Sequence, residues 1–325
     1  MAGNDLILKV YDGTLEYVRS RGYISRLQEI LTEESIDDRM KRLDVSKEGL
    51  DAVDAVHCVL DMKRTLAFME AIKKTVRSED MVVEAGAGTG ILAILAAALK
   101  ANVYAIEMNE ETLILAQELA TFFIEKNVIE EGYLQMILDD ASSWIPPDEI
   151  DVLISENIYT GMFYEMQIPI INNLLKYLKP DGKVIPQSMR SFVVLSETKL
   201  TKDTRHGDSF SPSDAEKRLY KSRYLSKPIL FDEINFFKLN AIDCFVDLEI
   251  SIIRSGLLNS LLIYSPVTVD QEIVLDREDM IFMGEDIFIA IDPPLEAKEG
   301  SIARLKMAYE RGGKPEKGHY EISIL

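Results

Sequence analysis

Between residues 81 and 155 the chain repeats one pattern, a short apolar run, a turn and a longer apolar stretch at helical spacing, and this leaves few folds open. Residues 81–85 read as a first strand, 91–99 as a buried Ala/Leu-rich helix, 102–107 as a second strand and 111–124 as a second helix. Residues 133–138 and 150–155 read as two more strands, 166–178 as a helix ended by Lys179-Pro180-Asp181-Gly182, and 183–186 as the start of a fifth strand. Strands alternating with helices give an α/β fold, a parallel sheet with helices on both faces.

The flanks differ. In residues 1–75 apolar positions such as Leu6, Val10, Leu15 and Val18 recur at three and four residues, predicting a helical segment. Ser46, Glu48 and Gly49 mark a break, and 50–72 carries a moderate helical pattern with Val53, Val56, Leu60, Leu66 and Phe68. After about residue 190 the alternation stops. Segments 191–195, 244–253, 257–264, 272–275 and 287–291 suggest strands, 198–214 a polar loop, and Arg311-Gly312-Gly313-Lys314-Pro315 a turn before a last strand. The expected organisation is a helical N-terminal segment (1–75), a Rossmann-like domain (76–188) and a mainly β, barrel-like domain for substrate or oligomerisation (189–325).

Charge narrows the partners. With 55 acidic against 36 basic residues, the net −19 repels nucleic acid and steers cationic ligands inward. No apolar stretch approaches the ~18–20 residues that span a bilayer, and Met1-Ala2-Gly3-Asn4-Asp5 lacks a basic leader. A cytoplasmic protein that does not engage membranes is expected. Cys58 and Cys244 lie far apart and read as buried fillers, while His57, His206 and His319 are too scattered for a metal site.

The chemistry gathers at the strand ends. Glu84-Ala85-Gly86-Ala87-Gly88-Thr89-Gly90 places three glycines where a backbone can approach a ligand, without the Lys-Ser/Thr of a phosphate loop. Glu107, ending the second strand, can accept from both hydroxyls of a ribose. Asp140, with Ala141, can accept from an adenine amino group. Glu84 either shapes the loop or reacts. In order and spacing these residues resemble the cofactor motifs of the seven-strand S-adenosylmethionine-dependent methyltransferases. The resemblance implies that cofactor, held by Glu84, Gly86, Gly88, Gly90, Glu107, Asp140 and Ala141, and a methyl-transfer reaction.

Ser155-Glu156-Asn157-Ile158-Tyr159-Thr160-Gly161-Met162-Phe163-Tyr164-Glu165 follows the fourth strand and sets two carboxylates nine residues apart at the sheet's carboxyl edge. Paired carboxylates suit the fork of a guanidinium. This segment is similar to the double-glutamate loop of the protein arginine methyltransferases, and Arg64-Thr65-Leu66 is similar to that family's element upstream. The resemblance implies that Glu156 and Glu165 are catalytic and hold the acceptor, that Arg64 pairs with the cofactor's carboxylate, and that the protein forms a homodimer. The chain departs from the family at Tyr264-Ser265-Pro266-Val267-Thr268-Val269-Asp270, where a Thr-His-Trp loop is expected, and in a short segment before Phe245 where the family has a dimerisation arm. Protein arginine is the implied acceptor. A small molecule or another side chain on the same scaffold is the alternative, and a cofactor-binding interaction protein without turnover is a third reading.

Overall fold

The computed structural model describes residues 2–33, 49–200, 204–210, 222–280 and 284–325. The break read at Ser46 and Glu48, and parts of the polar loop 198–214, lie outside them.

Strands β1 (Met81–Ala85), β2 (Asn102–Glu107), β3 (Leu134–Leu138), β4 (Ile150–Ser155) and β5 (Leu178–Ile185) form a parallel sheet in the order β3-β2-β1-β4-β5. The order reverses beside β1, which pairs with β2 on one side and β4 on the other. A crevice therefore opens beyond the carboxyl ends of β1 and β4, the position at which such sheets bind ligands. Continuous apolar runs suit this central position: Val82, Val83 and Ala85 in β1 and Leu153 and Ile154 in β4 are fully buried.

Helices α1 (Ala2–Ser20), α2 (Tyr23–Glu33), α3 (Ala52–Leu60), α4 (Met62–Thr75), α5 (Ile91–Ala98), α6 (Glu110–Glu125) and α7 (Gln167–Leu174) surround this sheet. The helical pattern over 50–72 resolves into two helices, α3 and α4. Asp51 caps α3 by accepting from the Val53 and Asp54 N–H groups, each at 2.9 Å. The helix stops at Asp61, whose ψ of 75° takes the backbone out of helical geometry. The new direction delivers Arg64, on the first turn of α4, to the crevice. One boundary is corrected at 166–178: the α-helix ends at Leu174, a single 3₁₀ turn follows, and Lys179 to Gly182 lie inside β5 instead of ending the helix. The register against β4 jumps there, from Ile150 opposite Leu178 to Val152 opposite Lys183, so the Pro-Asp-Gly residues are absorbed as an irregularity.

From Ser188 onward the chain is antiparallel, with one curled sheet built on Ser188–Glu197 and Gly256–Tyr264 and a smaller one of Asp243–Ser251, Ile302–Glu310 and His319–Ile324. Among the described residues the parallel sheet closes at five strands, because the chain beyond Pro186 turns into this β-rich half. Strands Ile229–Asn235 and Ile302–Glu310 went unread in the sequence, their alternation being half charged. His319 begins the last strand.

The two larger apolar cores among the described residues lie around the parallel sheet and inside the antiparallel half. The loop between Glu156 and Glu165 is stitched into both. Ile158 and Met162 belong to the first, and Tyr159, Phe163 and Tyr164 to the second.

Candidate active site

A cavity of about 1100 Å³, open mouth included, lies at the crevice. Its floor is the glycine turn. Gly86, Gly88 and Gly90 have φ of +75°, +56° and +76°, a region costly for any residue with a Cβ. At Gly86 a Cβ would also collide with the side-chain amide of Asn157. The Gly86 and Ala87 N–H groups both donate to the Ile106 carbonyl at 2.9 Å, which ties the turn to β2. Glu84 accepts from the Ala93 N–H at 2.8 Å and fastens the turn to α5, the loop-shaping role.

Glu107 ends β2 and is 5% exposed. Its two oxygens accept from the Gly88 and Asn109 N–H groups at 2.8 and 2.9 Å. Burial raises its carboxyl above the ordinary range, and those backbone donors pull it back. A carboxylate offers about four lone-pair directions, so acceptor capacity remains for ligand hydroxyls. Asp140 lies at the mouth, exposed, with Oδ1 accepting from the Ser142 N–H at 2.8 Å, and Ala141 behind it is buried. Glu107, Asp140 and the glycine turn thus line one cavity.

Arg64, Glu156 and Glu165 line it from the other side. Arg64 is buried and its Nη2 forms an ion pair with Glu156 Oε1, an arrangement the sequence did not disclose. The Glu156 side chain keeps 18% exposure, and burial raises its carboxyl while Arg64 opposes the rise. Glu165 is pushed up to about 8, first by burial and then by the charge of Glu156. Among the described lining residues Arg64 is the one cation against Glu84, Glu107, Asp139, Asp140, Glu156 and Glu165. Such a chamber favours ligands that bring positive charge.

Residues beyond those read from the sequence complete the site. Asn157 donates to the Ala85 carbonyl at 2.7 Å and to Ser155 Oγ at 3.1 Å, joining the ends of β1 and β4. Gln167, fully buried, accepts from Ser155 Oγ and the Asn157 N–H and donates to the Ser155 carbonyl, at 2.9, 3.1 and 2.8 Å. Nothing in its spacing sets Gln167 apart from Asn172 and Asn173 of the same helix. Gly49 (φ +66°), Val59 and Phe68 close the cavity from the N-terminal side. Cys58 is half-buried and also lines it, so it is more than filler; Cys244 is buried, and both cysteines are free. Tyr159 and Tyr164 pack on each other edge to face at 5.0 Å instead of lining the cavity. No group of metal-ligating side chains occurs among the described residues, and none of their helices is long and apolar enough to cross a membrane.

Residues 77–225 match the family model described as a methyltransferase domain. The chain is 27% identical to an uncharacterised protein of Methanocaldococcus jannaschii over 78% of its own length and 90% of that protein. It is 31% identical to protein arginine N-methyltransferase 8-B of Danio rerio over 44% of the chain, but this spans 34% of that enzyme. Its fold is similar to that of a Trypanosoma brucei PRMT1 enzyme-prozyme heterotetrameric complex with AdoHcy, with a TM-score of 0.65 at 14% identity over 82% of this chain and 91% of the other. The chain is therefore an S-adenosylmethionine-dependent methyltransferase resembling the protein arginine methyltransferases. The cavity fits that cofactor: a turn whose glycines leave no room for a Cβ at Gly86, a buried carboxylate at Glu107 and a polar rim at Asp140.

Proposed function

We propose that this methyltransferase acts on a cationic nitrogen, with the guanidinium of a protein arginine as acceptor. The observation that carries this reading is the pair Glu156 and Glu165, which line the same cavity as the cofactor groups, one of them already gripping a guanidinium, that of Arg64. Bound S-adenosylmethionine supplies a methyl group already activated on a sulfonium. The chain's part is to bind, align and dry the acceptor.

Gly86, Gly88, Gly90, Glu107, Asp140 and Ala141 would hold the cofactor, with Glu84 fixing the turn. Arg64 would meet the cofactor's carboxylate, which draws its charge away from Glu156 and leaves that carboxylate for the acceptor. Glu165, pushed up to about 8 by burial and by Glu156, carries a proton near neutral pH, and an arriving cation would expel it. Helices α3 and α4 act as the lid. They are tied down where Thr112 Oγ1 of α6 donates to the Leu50 carbonyl at 2.8 Å. Two free cysteines fit a reducing cytoplasm. A homodimer is the assembly we propose, by likeness to the arginine methyltransferases.

The test is transfer of labelled methyl from S-adenosylmethionine into an extract of the source cells, split into protein and small-molecule fractions, with Glu156→Gln as control. Label in protein that hydrolyses to methylarginine supports the reading. Label confined to small molecules moves the acceptor to a metabolite, and cofactor binding without transfer leaves a non-catalytic binding protein.

A further inference from the structure

The loop between the two glutamates adopts a shape its own residues disfavour. Gly161, Met162 and Tyr164 have φ of +68°, +59° and +62°, and the last two carry side chains that rarely enter this region. Within the loop the Met162 N–H donates to the Tyr159 carbonyl at 2.9 Å and the Glu165 N–H to the Phe163 carbonyl at 2.7 Å. The Phe163 N–H also donates to the Thr160 carbonyl at 3.3 Å, and further restraints come from far along the chain. The Gly312 N–H donates to the Met162 carbonyl at 2.6 Å, and the Tyr164 N–H donates to the Gly313 carbonyl at 3.0 Å. The two glycines lie across the loop as a strap, so close that a Cβ at Gly312 would sit 3.3 Å from the Glu165 carbonyl oxygen.

Arg311 fixes the strap from behind. Its Nε and Nη2 fork onto the two oxygens of Asp232 at 3.0 and 2.9 Å, and its Nη1 donates to the Ala241 and Asp243 carbonyls at 2.7 and 3.0 Å. Its backbone N–H donates to the Ile242 carbonyl at 2.9 Å. Both members of the pair are about 10% exposed, so solvent screens the pair little. The planar fork meets a carboxylate and two carbonyls at once, and a lysine cannot reproduce that geometry.

We propose that Arg311 is a positioning residue for methyl transfer: through the Gly312-Gly313 strap it sets the backbone of Met162 to Glu165, and so the direction from which the Glu165 carboxyl enters the cavity. The proposal rests on Glu165 being part of the acceptor clamp. The cofactor groups on β1 and β2 have their own anchors and do not depend on the strap.

The test compares Arg311→Lys and Gly312→Ala in the full chain with wild type. Three quantities are read: exchange of the Tyr164 and Gly312 amides by NMR, calorimetric affinity for S-adenosylmethionine, and kcat and KM on a synthetic arginine-containing peptide. Both variants are expected to lose about tenfold or more of the protection at those two amides and about tenfold in kcat, with cofactor affinity within about threefold of wild type. Unchanged protection or unchanged kcat in both variants overturns the proposal, as does a matching loss of cofactor affinity, which marks general disruption. If wild type leaves the peptide unmethylated, the arginine reading fails by itself, and amide exchange in the two variants still decides the strap.

Discussion

The two sides of the cavity are held by different kinds of partner. On the cofactor side Gly86, Ala87 and Gly88 are fastened to Ile106 and Glu107, on the next strand of the same sheet. On the acceptor side Glu156 meets Arg64, and the loop leading to Glu165 is fastened by Gly312, Gly313 and Ser265, whose Oγ accepts from the Gly161 N–H at 2.9 Å. The first arrangement is closed within one motif. The second draws on the whole chain, from Arg64 to Gly313.

The sharpest separation of the two sides comes from Glu156→Gln, which keeps size but removes the charge facing a cationic acceptor. Turnover should fall by about three orders of magnitude while cofactor affinity by calorimetry stays within about threefold. An equal loss of both would erase the distinction between the sides. Gly86→Ala is expected to cost about 100-fold in cofactor affinity, since its φ is unfavourable and the new Cβ meets Asn157. This substitution crosses the divide, because Asn157 also bonds Ser155 beside Glu156, and kcat should drop with it. Normal turnover at saturating cofactor would show the sides to be more independent than the hydrogen bonds imply.

Glu107→Gln should raise the cofactor Kd about tenfold without moving acceptor KM, since an amide NH₂ would face one of the backbone N–H groups that the carboxylate now accepts from. The smallest effect is with pH. With Glu165 protonated up to about pH 8, a cation must expel that proton, so acceptor KM should fall several-fold between pH 6.5 and 8.5 in wild type and stay flat in Glu165→Gln. The sign for stability runs the other way. A carboxyl raised by folding binds its proton more tightly in the folded state, so its contribution is full below the unfolded value near 4.3 and is lost as pH rises toward 8. The glutamine variant should therefore exceed wild type in Tm at pH 8 and lose that advantage at pH 4.

Strands β1 to β4 and the glycine turn are legible in the sequence because local spacing specifies them: buried runs bounded by turns, and glycines where φ is positive. Glu107 and Glu156 are legible for the same reason, each standing at or just past a strand end. The Arg64–Glu156 pair is not, since it depends on the break at Asp61, where a periodic apolar pattern continues through a point at which the backbone turns. Gln167 and Ser265 are polar residues whose partners lie in other elements, and no spacing rule points to them. Arg311-Gly312-Gly313 reads as a turn and is one, but the sequence carries no sign of what the turn lies against.

That turn also sets an order of events during synthesis. The strands of the parallel sheet leave the ribosome first and can assemble while the rest is being made, as domains tend to do from the N-terminal side. Gly312 and Gly313 emerge long after Glu165, so the nascent chain can gain its cofactor cavity well before its acceptor loop is braced. A growing polypeptide of this kind would hold the parts of its methyl-donor cavity while the loop that carries Glu165 still waits for its brace.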